Sequence, residues 1–89
     1  MIKCELTIVN KLGLHARAAA KLAATAGRFA SSIQIGRDGR LVDAKSVMSL
    51  MLLAAAQGTT LEFRFDGSDE TDAQESVAAL IAARFHEDS

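Results

Sequence analysis

The chain has 89 residues, enough for one small domain over 1–89 and too few for two. A formal charge of -1 excludes a general pull toward nucleic acid or anionic membrane, and no apolar run reaches the length of a membrane span. Hydrophobic residues make up 49%, many of them alanine, with no tryptophan, tyrosine or proline, which favours closely packed helices around a thin core.

The single cysteine excludes an internal disulfide and suits a reducing, cytoplasmic setting. The first residues alternate at once, which is not a signal-peptide pattern. Residues 2–9 read as a half-buried strand, with Ile2, Cys4, Leu6 and Ile8 on one face and Lys3, Glu5 and Thr7 on the other. Residues 16–26 read as a helix, with Ala19, Leu22, Ala23 and Ala26 forming a narrow apolar stripe. Gly27 is its expected stop, and Phe29 is expected to fold back over its end. A second strand follows at 31–36, with Ile33 and Ile35 inward, and then a hairpin at Arg37-Asp38-Gly39-Arg40, where Asp-Gly suits a two-residue turn with positive φ. A third strand occupies 41–44.

Ser46 can cap a helix over 47–56. That segment is apolar almost all round, more than a domain of this size can wrap. Leu50, Leu53 and Ala54 are expected in the core, and Val47, Met48, Met51 and Leu52 partly exposed, as on an adaptable binding surface. Residues 60–66 alternate again, with Leu61, Phe63 and Phe65 inward. Gly67-Ser68 turns into a last helix, with Ser68 as its expected cap and Ala73, Val77, Leu80 and Ile81 as its buried stripe. The element order is βαββαβα. Each strand has one apolar face, which predicts an α+β two-layer sandwich with three helices on one side of an open sheet.

The chemistry concentrates at Asn10-Lys11-Leu12-Gly13-Leu14-His15-Ala16-Arg17, where strand pattern gives way to helix pattern. The positive end of a helix dipole favours neutral imidazole, the nucleophilic form. A phosphoryl group on His15 would lie among the unpaired N–H groups of Ala16, Arg17 and Ala18, and the Arg17 guanidinium could clamp it. Gly13 permits the sharp turn and leaves room for a reacting partner. Spacing alone favours a capping or surface histidine over a phosphoryl acceptor. No carboxylate pair converges on His15 in sequence, and His86 is expected as a frayed surface residue. Neither histidine has metal-ligand spacing, and no nucleotide loop is present, so no metal or cofactor is expected.

Two stretches at the right separation carry a family resemblance: Asn10 to Arg17, and Lys45-Ser46-Val47-Met48-Ser49-Leu50-Met51 followed by Gln57-Gly58. From Ile2 to about Phe85 the chain resembles HPr, the histidine-containing phosphocarrier family of the bacterial phosphoenolpyruvate-dependent phosphotransferase system. The resemblance implies an open-faced β-sandwich with a four-stranded antiparallel sheet of order 1-4-2-3. It also implies phosphorylation of His15 at Nδ1 by Enzyme I, assisted by Arg17, and transfer to a IIA-type acceptor. Ser46 would be a target of an HPr kinase/phosphorylase. Ala20, Lys21, Val47, Met48, Met51 and Leu52 are the expected partner surface of a monomer that neither binds nucleic acid nor inserts into a membrane. Such a chain is a carrier and a substrate of other enzymes, with little turnover of its own. The alternative is a nitrogen-branch or purely regulatory paralogue acting by protein binding. Ala18 departs from the proline usual in the family, and a C-terminal carboxylate contact is not carried over.

Overall fold

The computed structural model describes residues 1–87. Its elements are β1 (Ile2–Thr7), α1 (Ala16–Gly27), β2 (Ser32–Arg37), β3 (Arg40–Asp43), α2 (Val47–Leu52), β4 (Thr60–Asp66) and α3 (Glu70–Ala82). The four strands form one antiparallel sheet of order β1-β4-β2-β3, with three helices, as the α+β reading requires.

The strand alternation is what assembles the core. Cys4 lies opposite Phe63, Phe63 opposite Ile35, and Ile35 opposite Val42, so one row of inward side chains crosses all four strands. Phe63, Phe65, Ile33, Ile35 and Leu61 are fully buried there, whereas Lys3, Glu5, Thr7 and Thr60 on the other face are exposed. Ala73, Val77, Leu80 and Ile81 of α3 are buried in the expected stripe, and α3 packs against β1 and β4. α1 packs against both α2 and α3, and its alanines permit that close approach. The hairpin forms as the Asp-Gly pair dictates: Arg37 lies opposite Arg40, with Asp38 at φ 55° and Gly39 at φ 79°.

Three local expectations are corrected. α2 ends at Leu52, four residues early. Ala54 takes φ 50° and is exposed instead of joining the core. The chain leaves the helix because Ala55 is recruited elsewhere, its carbonyl accepting from Leu14 N–H at 2.8 Å. Arg37 Nη2 donates to the freed Leu53 carbonyl at 3.0 Å, which satisfies an orphan of the helix end. At α3, Asp69 occupies the cap position and Ser68 does not. The Asp69 carboxylate turns away from its own helix and accepts from Ala30 N–H and Ser31 N–H, both at 2.9 Å, and from the Ser31 hydroxyl. The acidic start of α3 is therefore a clamp onto the entry to β2. Gly27 ends α1 as expected, with Arg28 following in right-handed helical geometry.

Beyond α3 the chain makes a left-handed turn. Arg84, Phe85 and His86 have φ of 56°, 54° and 60°. Side chains in that region cost roughly 1–2 kcal/mol per residue. The turn is held because Phe85 is fully buried, which contributes about 1.5–3 kcal/mol, and because Lys21 Nζ donates to its carbonyl at 2.6 Å.

Candidate functional site

The loop between β1 and α1 is stitched to the segment between α2 and β4. Ile8 N–H donates to the Thr59 carbonyl, Gly58 N–H to the Ile8 carbonyl, Gln57 Nε2 to the Val9 carbonyl, and Leu14 N–H to the Ala55 carbonyl. Gly13 sits at the tightest point. It has φ +70°, and a Cβ there would lie 2.5 Å from the Ala55 oxygen. The room that glycine provides is thus filled by the Ala55–Ala56 backbone and not left for a reacting partner. Asn10 is fully buried beneath the loop and donates through Nδ2 to the Gly13 carbonyl at 2.8 Å.

This anchoring presents His15 as the cap of α1, with extended backbone and its carbonyl accepting from Ala19 N–H at 2.8 Å. Its Nδ1 accepts from Arg17 N–H at 3.3 Å. An accepting Nδ1 leaves the ring proton on Nε2, and that proton is donated to Glu87 Oε2. The other oxygen of Glu87 accepts from Asn10 Nδ2 at 2.9 Å. Burial acts to raise the Glu87 pKa. It is outweighed by the hydrogen bonds from Asn10 and His15 and by favourable electrostatics from the His15 ring and Lys21, so the pKa lies below the ordinary glutamate value.

His15, Ala16, Arg17 and Lys21 of α1 line one open cleft together with Leu12, His86 and Glu87. Arg17 is exposed there, and among the described residues its guanidinium makes no ion pair. The Ala16 and Ala18 amides donate to no group among the described residues, and Ala18 is fully buried. One nucleophilic ring nitrogen, free amides of a twelve-residue helix and two cations make a site for a small tetrahedral anion.

Comparisons with known proteins show the family and the fold. The family model for the PTS HPr component phosphorylation site matches residues 2–83. The phosphocarrier protein HPr of Cupriavidus necator is 53% identical over 87 residues, covering 98% of each chain. The chain belongs to the HPr family. HPr-C-His from Thermoanaerobacter tengcongensis superposes with a TM-score of 0.95 at 38% identity, covering all of both chains. An HPr dimer from the same organism does so at 0.78 and 39%, covering 98% of this chain and 100% of that one. HPr proteins are the phosphocarriers of the phosphotransferase system, and that is the function this family membership supplies.

Around this HPr site, the other candidate residues fall into two groups. Ser46 caps α2, its Oγ accepting from Ser49 N–H at 3.3 Å. Beside it lie Met48 and Leu52, 77% and 79% exposed, with Met51 also exposed and Val47 half-buried against the core. Ala20 is exposed on α1. Lys21, expected to meet partners, has its ammonium committed to the Phe85 carbonyl. Leu12, 69% exposed, lines the cleft beside His15 and is not apparent from helical periodicity because it lies in the loop.

Sequence reasoning also missed Glu87 and the role of Asn10. His86 is exposed, as expected, but it lines the cleft. Glu87 stands 72 residues from His15 along the chain, so no local pattern could pair them. The one available signal was Phe85, a large apolar residue in a charged tail, which marks an anchoring point.

Proposed function

We propose that His15 Nδ1 accepts a phosphoryl group from phospho-Enzyme I, itself charged by phosphoenolpyruvate, and delivers it to a IIA-type acceptor. The observation that carries this reading is the ring orientation. The Nδ1 lone pair faces the start of α1, and the Nε2 proton is engaged on the opposite side. As Nδ1 bonds to phosphorus, the donor's bond to phosphorus breaks and its electron pair leaves with the donor. The Arg17 amide, no longer able to donate to Nδ1, turns to a phosphoryl oxygen, joined by the Ala16 and Ala18 amides and the Arg17 guanidinium. The exposed site gives modest stabilisation, which suits a group that must leave again.

In this reading residues 1–89 act as one cytoplasmic, monomeric carrier domain with little turnover of its own. Ala20, Met48, Met51, Leu52 and Leu12 form the docking surface. The test incubates the protein with Enzyme I and phosphoenolpyruvate. Wild type should gain an acid-labile phosphate, and His15→Ala none. Failure to label wild type, under conditions that label another HPr, would sink the proposal.

Ser46 supports a regulatory second layer through an HPr kinase/phosphorylase. Phosphate at a helix start is electrostatically tolerated, so it would leave α2 folded and place charge beside Met48 and Met51. Kinase and ATP should yield an acid-stable phosphate lost in Ser46→Ala; no such product leaves Ser46 as a cap alone.

A further inference from the structure

The carrier reading requires a nitrogen that takes a phosphoryl group, but it does not require a carboxylate on the other side of the ring. Glu87 provides one through a costly arrangement. Three successive left-handed residues, the burial of Phe85 and the bond from Lys21 to the Phe85 carbonyl together bring a single side chain across to Nε2. Strain that converges on a site points to a task there. Asn10, fully buried, fixes the carboxylate from behind, donating from one Nδ2 group to both Gly13 and Glu87.

The charged and titratable groups around the His15 ring are Arg17 and Lys21 on α1 and His86 and Glu87 on the tail. Glu87 is the one anion among them. A carboxylate on the far nitrogen of a reacting imidazole fixes the tautomer and stabilises the positive charge the ring develops.

We propose that Glu87, held by Asn10, is a positioning residue that keeps the proton on His15 Nε2 through the whole transfer cycle, so that the phosphorylated ring remains an imidazolium. On loading, the Nδ1 lone pair forms the N–P bond, the donor's bond to phosphorus breaks, and the ring becomes cationic with its Nε2 proton still shared with Glu87. On delivery, the acceptor's lone pair bonds to phosphorus and the N–P electrons return to Nδ1. The ring is again neutral with Nε2 protonated, and no proton has entered or left it. Without the carboxylate, the phosphorylated ring releases its Nε2 proton to water more easily. The leaving group is then an imidazolate, which departs poorly. Glu87 therefore holds the carrier in its transfer-ready form at cytoplasmic pH.

This inference rests on the carrier reading, and its test separates the two. Wild type, Glu87→Gln and Glu87→Ala, each as the full chain, are charged with Enzyme I and phosphoenolpyruvate. Loss of inorganic phosphate is then followed from about pH 6 to about pH 10. In Glu87→Gln the Asn10 donor takes the amide oxygen and turns the amide N–H groups toward Nε2–H, so the contact becomes repulsive. Both variants should lose phosphate with a profile moved about one unit to lower pH, with melting temperatures within a few degrees of wild type. Nitrogen NMR of the uncharged proteins should show a proton on Nε2 that exchanges slowly in wild type and rapidly in both variants. Superimposable profiles, or equal Nε2 proton exchange, would overturn the role of Glu87 while leaving the carrier reading intact. Absence of label on wild type would overturn both.

Discussion

At the residue scale, the site depends on a few positions where backbone and side chain have no alternative. Gly13 is one, because its positive φ and its contact with Ala55–Ala56 both exclude a side chain. Gly13→Ala should destabilise the fold by about 1–3 kcal/mol in denaturant titration and slow the charging of His15, since the loop that carries the ring must move. Unchanged stability would show that the loop tolerates another path. Asn10 is another such position. Both of its Nδ2 contacts are used, and its buried Oδ1 has no partner among the described residues. Gly13, His15 and Arg17 could be singled out from residue chemistry and spacing. What Gly13 touches could not, because Ala55 approaches from more than forty positions away.

At the element scale, α2 shows how a short amphipathic problem is resolved. Its apolar residues exceed what the core can cover, so Leu50 and Leu53 are buried while Met48 and Leu52 face outward. The division follows helical geometry. The helix end does not, since it is set by the Ala55–Leu14 and Arg37–Leu53 hydrogen bonds. Met48→Asp should weaken Enzyme I docking several-fold with little change in melting temperature, because the side chain is already in solvent. Loss of folding in a thermal melt would place Met48 in the core instead. The tail is the opposite case: its path is dictated by one buried phenylalanine and three strained residues, which no propensity favours.

At the scale of the whole molecule, distant elements are tied by a few polar clamps that respond to pH. Asp69 joins the start of α3 to the entry of β2. The Ser31 hydroxyl and then the Ala30 amide hold its pKa below the ordinary aspartate value against the opposing effect of burial, and the Ser31 amide adds to them. A carboxyl with a lowered folded-state pKa stabilises the fold fully above its unfolded value, near 4. That contribution is lost as pH falls through the folded value. Between about pH 5 and pH 2 the wild-type melting temperature should therefore fall more steeply than that of Asp69→Asn. Parallel slopes would show that the clamp contributes nothing to acid stability.

The sequence by itself determined the layers, the strand faces, the hairpin and the candidate nucleophile, because these follow from periodicity, turn chemistry and residue type within short windows. The partners of His15 were decided by tertiary structure alone. The strand order brings the Ala55–Thr59 segment beneath the loop, and the turn after α3 carries Glu87 to Nε2. A hydrogen bond between residues 72 positions apart has no local signature; it exists because the packed core, and Phe85 within it, leaves the tail one place to lie.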